Sequence, residues 1–534
     1  MRPEEYNIPK EKLVFRKQSK DIHDQKLQTK PVGYFKDAWY RFRKNKASIV
    51  ATIIIGILIL FAVIVPFTSK YKVSYSDEPG YPTFSNVLPK SKIFSALGAN
   101  FWDGCKNNEV NTSTFWKYKA IETELGHEVI KNGKYEKVKN KQNSFSKNSN
   151  YKLRENSYYK QGAIYKQFTL EEYQKLQAYQ DEYNTQVIYP YYANTSSTDS
   201  NEANFWYERE KKNGIQVPKF DESGNFIPLY EKLVRKTTNS AGETIEYTYN
   251  DYYTSKMRIE ENGAKIYSYA SAKQNDEMFE VRVDYYEYYI YYHKVIRQDK
   301  VKEPYFLFGT TSAGQDILTC LASGARFSLI LAVVVATVNL VIGAIIGAIE
   351  GYYGGKIDII LERIIDILGS IPFMIVITLL KYHMNASQVL ILFIAFFLTG
   401  WTGMAARTRM QFYRYKNQEY VLVARTLGAR DRRIMFKHIF PNAIGTLITS
   451  CVLVIPGVIF SETSLSYLGI INLESGSMIS VGTLLGKGNS TTLLNTPHVV
   501  LFPALFISLL ELSFNLFGNG LRDAFNPSLR GTED

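Results

Sequence analysis

Long apolar segments constrain this chain more than any other feature of its sequence. A helix needs about 20 consecutive apolar residues to cross the hydrocarbon core of a bilayer. Six segments qualify: two run from about residue 47 to 67 and from 327 to 349, two start near 371 and 388, and two run from 443 to 468 and from 499 to 517. The sequence therefore predicts an α-helical polytopic membrane protein with six transmembrane helices.

Basic residues near the ends of these spans predict the orientation, because Lys and Arg concentrate in cytoplasmic loops. They cluster before the first span and after the fourth: Lys36, Arg41, Arg43, Lys44, Lys46, Arg407, Arg409, Arg414, Lys416, Arg425, Arg430, Arg432, Arg433 and Lys437. We expect the protein to lie in the plasma membrane, with both termini in the cytoplasm. The net charge of +12 has the same origin and does not indicate nucleic-acid binding.

A long polar segment separates the first span from the others. We expect a cytoplasmic segment at 1–46, helix 1 at 47–67, an extracellular inserted domain at 68–305, a core with helices 2–6 at 306–527 and a cytoplasmic tail at 528–534. Abundant Tyr and Phe give the inserted domain enough apolar area for a core. Alternating residues predict strands at 243–249 and 279–283, and a helix is predicted at 170–183, so the domain is expected to be mixed α/β.

The charged loop between the fourth and fifth spans, residues 405–442, is expected to fold into a helix-turn-helix elbow. A short helix is predicted at 418–427, Gly428 breaks it, and a second, basic helix is predicted at 431–439. Pro441 is expected to stop that helix and redirect the chain into the fifth span. Since such a loop has no lipid to face, it either stays in the cytosol or contacts another protein.

Motifs for catalysis are scarce. The segment from Gly482 to Gly488 looks like a phosphate-binding loop, but it has three residues between its glycines instead of four, and no Ser or Thr follows Lys487. The six His residues lack metal-ligand spacing, and no Ser-His-Asp set or paired Cys motif is present. We expect no enzyme activity and no bound cofactor or metal, so any ATP must be held by a partner.

Two acidic residues, Glu462 and Glu511, fall within the fifth and sixth apolar segments. Ionisable groups inside a membrane are costly and often functional. Both are candidates for the transport pathway or for an interface.

The loop also carries a recognisable pattern, in Tyr420-Val421, Ala424-Arg425, Leu427-Gly428-Ala429 and His438 to Asn442. It resembles the cytoplasmic loop of binding-protein-dependent ABC importer permeases. Leu422 stands where the general family has Glu, and this departure is typical of the oligopeptide and dipeptide permease branch.

Further blocks strengthen the resemblance to the C-type permease subunit of peptide importers. They are 308–310, 314–316, 324–329, 351–355, Asp366, 370–372, Glu462, 465–469 and 515–523. Thr311 and Gln315 replace an Asp and an Arg of that pattern. The likeness covers residues 31–67 and 305–527, and the large inserted domain has no counterpart in the ordinary subunit.

The resemblance implies a type I ABC importer permease fold and a subunit that is chemically passive. It implies a homologous B-type permease as partner, two ABC ATPases that hold ATP and Mg²⁺, an extracellular peptide-binding lipoprotein and a peptide substrate. The loop would sit in a groove of an ATPase, and its expected coupling residues are Tyr420, Ala424, Arg425, Gly428, Ala429, Arg432, Arg433, His438, Pro441 and Asn442.

Two other functions are possible from the sequence. A membrane-anchored surface receptor or adhesin would use the inserted domain as its working part. A secondary transporter would be driven by an ion gradient, although few intramembrane charges of the relay kind are present.

Overall fold

The structure is a computed structural model of the chain. It describes residues 33–96, 100–139, 149–190, 203–212, 214–229, 234–238, 244–248, 258–261, 264–267, 270–272, 278–488 and 496–525. The predicted N-terminal segment is therefore described from residue 33 only, and the predicted tail lies outside the described residues.

Helices form the membrane part, and the inserted segment combines helices with strands. The helices are α1 (Tyr34–Lys44), α2 (Lys46–Thr68), α3 (Lys92–Ala96), α4 (Thr112–Leu125), α5 (Leu170–Tyr183), α6 (Tyr285–Tyr291), α7 (Ile317–Tyr353), α8 (Gly355–Ser370), α9 (Phe373–His383), α10 (Gln388–Thr399), α11 (Thr402–Tyr415), α12 (Glu419–Thr426), α13 (Asp431–Arg433), α14 (Phe440–Tyr467), α15 (Val481–Lys487) and α16 (His498–Phe525). The strands are β1 (Cys105–Asn111), β2 (Ile130–Lys139), β3 (Ser149–Asn156), β4 (Ala163–Thr169), β5 (Ile188–Tyr189), β6 (Arg209–Lys212), β7 (Ile215–Pro218), β8 (Val234–Thr238), β9 (Thr244–Thr248), β10 (Arg258–Glu261), β11 (Ala264–Tyr267), β12 (Ala270–Ala272), β13 (Met278–Asp284), β14 (Glu474–Ser475) and β15 (Met478–Ile479). π-Helical turns span Tyr292–Arg297 and Ile434–Ile439.

Five helical segments among the described residues are long and apolar enough to cross a membrane. They are Lys46–Thr68, Ile317–Tyr353, Gln388–Tyr415, Asp431–Tyr467 and His498–Phe525, and they contain five of the six predicted spans. The protein is therefore a multi-pass membrane protein.

The structure does not contain the predicted third span as one long helix. Residues from 371 on form only α9, an 11-residue helix, which is about 16 Å long and too short to cross a bilayer unaided. It meets α8 at a bend of 78°, and the pair supplies a sixth crossing only if both helices belong to one span. The bend has a local cause: Ile371 precedes Pro372, which disfavours helical backbone, and Ile371 is extended at φ −79° and ψ 120°.

A stripe of glycines on α7 allows α11 to pack closely against it. Gly343, Gly347 and Gly351 lie one helical turn apart. A Cβ added at Gly343 would lie 2.7 Å from Met404 Cβ, and one at Gly351 would lie 2.7 Å from Phe412 Cβ. Small residues at this spacing are typical of close helix pairs in membranes.

The inserted segment, residues 68–305 and hereafter the insert, has several small cores. One antiparallel sheet has the order β1–β3–β2, and another has the order β12–β13–β4 with β5 also pairing with β13. The predicted helix is α5, and the predicted strands are β9 and β13. Helix α5 covers the second sheet with Tyr173 and Leu176, which are fully buried.

The insert is fixed to the membrane part by hydrogen bonds and aromatic contacts. The Asn86 amide donates to the Thr311 carbonyl and the Thr310 amide donates to the Val87 carbonyl, both at 2.9 Å. The Trp102 ring lies 5.5 Å from the ring of Phe502, in the second turn of α16. These contacts seat the insert on the ends of the membrane helices.

Helix α1 precedes the first span and was not predicted. Its buried residues Ala38 and Phe42 pack on the end of α16, where the Phe42 and Phe517 rings are 5.4 Å apart. The N-terminal and C-terminal ends of the membrane part are thereby joined.

Candidate functional site

The loop between the fourth and fifth spans folds into a compact elbow, defined here as residues 419–442. Helix α12 confirms the first predicted helix, and α13 with the π-turn occupies the second predicted helix. The prediction that Pro441 stops this helix is wrong, because the chain is helical from Asp431 to Tyr467. Pro441 follows just after the π-turn, where the backbone hydrogen bonds change from the i−5 to the i−4 pattern, and the helix accommodates its missing amide hydrogen there.

The turn at Gly428 explains the spacing of the elbow pattern. The Gly428 amide donates to the Arg425 carbonyl, and the Ala429 amide donates to the Ala424 carbonyl, both at 3.0 Å. These two bonds close a Schellman motif at the end of α12. Gly428 has φ +78°, which a residue with a Cβ adopts only under strain.

The inner face of the elbow is fastened to the spans. Val421, Ile434 and Ile439 are fully buried in one cluster with Tyr352 of α7 and Phe412 of α11. The Tyr352 hydroxyl also donates a 2.6 Å hydrogen bond to Asp431. These contacts join the elbow to α7 and α11.

The outer face of the elbow is apolar and basic. Leu427 is 81% exposed, Val423 is 56% exposed and Phe436 is 53% exposed. The elbow also carries exposed basic side chains, at Arg425, Arg430, Arg432, Arg433 and Lys437. Exposed apolar side chains among charged ones are typical of protein-binding surfaces.

The predicted coupling residues occupy several positions on the elbow. Tyr420 is connected to Asn442, whose amide donates to the Tyr420 hydroxyl at 3.3 Å and to the His438 carbonyl at 2.8 Å. Partial burial raises the pKa of the Tyr420 hydroxyl. The exposed members are Tyr420, Arg425, Gly428, Arg432, Arg433, Pro441 and Asn442, and the partly buried ones are Ala424, Ala429 and His438.

Arg409 forms an ion-pair cluster with Asp358, Glu362 and Glu350 that the sequence did not predict. Arg409 of α11 holds Asp358 of α8 with two hydrogen bonds, of 2.6 and 3.0 Å. Its other terminal nitrogen lies 2.6 Å from Glu362, and its Nε lies 3.6 Å from the buried Glu350 of α7. Asp358 and Glu362 lie four residues apart on one helix face, which is the only local signal of this cluster in the sequence.

The two intramembrane carboxylates lie in different surroundings. Glu462 is fully buried and accepts hydrogen bonds from Ser328 of α7 at 2.8 Å and from Ser466 at 3.1 Å. It therefore connects α14 with α7 inside this chain. Glu511 lies midway along α16 and is partly exposed.

Two family models match the chain. The model described as binding-protein-dependent transport system inner membrane component matches residues 321–531. The model described as N-terminal TM domain of oligopeptide transport permease C matches residues 33–85. The two matches leave residues 86–320, most of the insert, between them.

The chain is also similar to curated permeases and to solved transporters. It is 39% identical over 243 residues to the dipeptide transport system permease protein DppC of Bacillus subtilis, covering 45% of this chain and 75% of the relative. It is 40% identical over 236 residues to the oligopeptide transport system permease protein OppC of the same organism, covering 44% and 76%. A chain of the MetNI methionine ABC transporter in an inward-facing conformation matches with a TM-score of 0.31 and 15% identity, covering 38% of this chain and 96% of that chain. The two Bacillus subtilis permeases, at 39% and 40% identity over 75% and 76% of their lengths, show that this protein belongs to the family of binding-protein-dependent transport system inner membrane components, with oligopeptide and dipeptide permeases as its relatives.

Proposed function

We propose that this chain is a transmembrane permease subunit of an ATP-driven importer for oligopeptides or dipeptides. It would form half of the translocation pathway and receive the motion of ATPase subunits through its elbow. The observation that carries this proposal is the two-faced elbow. Its inner face is fastened to α7 and α11, and its outer face presents apolar and basic side chains that fit a partner.

The proposal requires partners for the remaining steps. A homologous B-type permease would complete the pathway, and two ABC ATPases would hold ATP and Mg²⁺, with no cofactor bound by this chain. An extracellular lipoprotein would deliver the peptide. The elbow and both termini would then lie in the cytoplasm, and the insert would lie outside the cell membrane, because Lys and Arg concentrate before the first span and in the elbow.

A test of this proposal uses Leu427→Asp, because Leu427 is the most exposed apolar residue of the elbow and packs little in this chain. Loss of a central apolar contact costs on the order of 2 kcal/mol, so we expect the ATPase activity that copurifies with the chain to fall by at least about tenfold. Uptake of a labelled peptide by cells should fall with it, while the amount of the chain in the membrane stays unchanged.

The matched control is Leu229→Asp, which places the same charge at an exposed leucine of the insert, 40% exposed. It should leave the copurifying ATPase activity unchanged. Gly428→Pro, which cannot adopt φ +78°, should behave like Leu427→Asp. The coupling proposal fails if both elbow variants keep full uptake, and uptake that survives ATP depletion but collapses with the ion gradient would indicate a secondary transporter.

A further inference from the structure

The insert exposes apolar side chains close to its junction with the spans. Ile93 of α3 is 72% exposed and Phe101 is 59% exposed. Phe101 contacts Phe94 at a ring distance of 5.0 Å, and Phe94 stacks on Trp102 at 5.8 Å. Lys92, Ile93, Phe94, Phe101 and Trp102 are called the membrane-proximal rim below. Such side chains are unfavourable in water unless something covers them.

The position of the rim is set by span residues. The Trp102 indole nitrogen donates to the Leu307 carbonyl, and its ring lies 5.5 Å from Phe502. Phe502 stacks on Phe308 at 4.1 Å and lies in the second turn of α16, where the apolar part of that span begins. The rim therefore lies at the level where the membrane helices emerge from the hydrocarbon core. Aromatic side chains are enriched at this level.

A groove beside the rim combines apolar span residues with lysines. Its volume is about 450 Å³, and it lies between the end of α2 and the start of α7. Val65 and Leu318 contribute apolar walls from the spans, and Lys70, Lys92 and Lys302 line the same groove.

Two of the three lysines in the groove are not neutralised by an ion pair among the described residues. Lys92 is paired with Glu303 at 2.7 Å. The buried Asp316 carboxylate accepts hydrogen bonds from the amide and the hydroxyl of Thr319, at 2.9 and 2.5 Å. Lys70 and Lys302 are exposed, and neither has an ion pair within 4 Å among the described residues. Lysines above an apolar wall match the phosphate and acyl chain of a phospholipid.

We propose that the membrane-proximal rim and this groove bind the phospholipid leaflet on the insert's side of the membrane. Ile93 and Phe101 enter the boundary between headgroups and acyl chains, and Lys70 and Lys302 contact lipid phosphates. The insert is thereby held against the bilayer as well as against the spans. This inference depends on the membrane placement of the spans and not on the transported substrate.

Depth-dependent quenching tests the rim. Cys105, Cys320 and Cys451 are replaced, and the full chain is labelled with an environment-sensitive fluorophore at Ile93→Cys or Phe101→Cys in phospholipid nanodiscs. Lipids that carry a nitroxide near the headgroup should quench both labels several-fold more than a label at Phe220→Cys. Phe220 is also an exposed aromatic of the insert, 43% exposed, but it contacts Trp116 and Phe226 instead of span residues.

The same labels separate lipid from a protein partner. Equal quenching at positions 93, 101 and 220 would overturn the proposal. Quenching that is present in the isolated chain but lost when the chain is purified with its associated subunits would also overturn it, because a protein would then cover the rim.

Anionic lipid tests the groove. Nanodiscs containing phosphatidylglycerol should raise the melting temperature of the chain above its value in phosphatidylcholine. The double variant Lys70→Gln and Lys302→Gln should lose most of this difference, whereas Lys134→Gln with Lys211→Gln, two exposed lysines elsewhere on the insert, should keep it. If inorganic phosphate in detergent gives the same increase, the groove binds free anions and the lipid proposal is wrong.

Discussion

Buried charged residues in the insert are compensated by specific partners, and these pairs determine how its elements join. Arg282 of β13 is fully buried and donates to Glu124 of α4 at 2.6 Å and to the Ala203 carbonyl at 2.7 Å. His127 lies 2.6 Å from Asp284 at the end of the same strand. Removing one member of such a pair leaves an unpaired buried charge, which is costly.

The pair of His127 and Asp284 predicts a pH dependence of stability. Burial lowers the pKa of His127, but the hydrogen bond and the charge of Asp284 outweigh it, with help from Glu287, so the pKa is raised. A raised folded-state pKa gives stability that is complete below the usual His pKa of about 6.5 and is lost as the pH rises through the raised value. We expect the difference in unfolding free energy between the wild type and His127→Gln, measured with urea, to shrink with increasing pH.

His293 provides the control for this measurement. Burial lowers its pKa more than the hydrogen bond to Asp299 raises it. Its contribution is therefore present above about pH 6.5 and lost as the pH falls. The difference between the wild type and His293→Gln should grow with increasing pH, and equal pH trends for both variants would contradict the assignment.

At the scale of elements, two prolines show which parts of the fold are readable from sequence. Pro372 ends a helix because the preceding residue, Ile371, becomes extended. Pro441 does not end one, since Phe440 before it stays helical at φ −56° and ψ −41° and a π-turn precedes both. Hydropathy located five of the six predicted spans, and Gly428 located the elbow turn. Whether a helix ends at each proline depends on packing partners that lie elsewhere in the chain and are not visible in the local sequence.

The ion-pair cluster around Arg409 was missed for a related reason. Arg409 and Asp358 are 51 residues apart in the chain. Their contact exists because α7, α8 and α11 meet at one place, and α7 and α11 meet because of the glycine stripe. The elbow residues are recognisable in the sequence one by one, but the contacts that hold the elbow to the spans are not.

The glycine stripe gives a prediction for this helix pair. Gly347→Ala would place a Cβ against the backbone carbonyl of Ala405, which cannot move aside as a flexible side chain could. Overpacking of this kind costs about 1–3 kcal/mol. We expect a lower melting temperature in nanodiscs and reduced peptide uptake. Gly403→Ala on α11 is the control, because nothing lies within 4 Å of its added Cβ, and similar losses for both variants would show that α7 and α11 do not depend on close contact.

At the scale of the whole molecule, the insert begins and ends at neighbouring points above the spans. The Ser69 and Thr319 hydroxyls lie 2.6 Å apart. The Tyr71 hydroxyl donates to the Tyr305 carbonyl at 2.8 Å and accepts from the Tyr305 amide at 3.1 Å. The interruption between the first and second spans was predictable from composition. The pairs Ser69–Thr319 and Tyr71–Tyr305, called the closed stem below, and the contact of Trp102 with Phe502 were not predictable, because they join residues far apart in the chain.

The closed stem predicts that the insert can be removed without unfolding the membrane part. Residues 75–300 would be replaced by a Gly-Ser linker of about four residues, which can span roughly 13 Å. Because the bonds of Ser69 with Thr319 and of Tyr71 with Tyr305 remain, we expect the shortened chain to reach the membrane and keep its copurifying ATPase activity. Its melting temperature should fall, since Phe308 and Phe502 lose the cover of Trp102.

Under the permease proposal some ATP-dependent peptide uptake remains, and adding Leu427→Asp to the shortened chain abolishes it. If the shortened chain instead loses cell adhesion, and uptake never depends on the chain, the insert is the working part and the protein acts as a surface receptor.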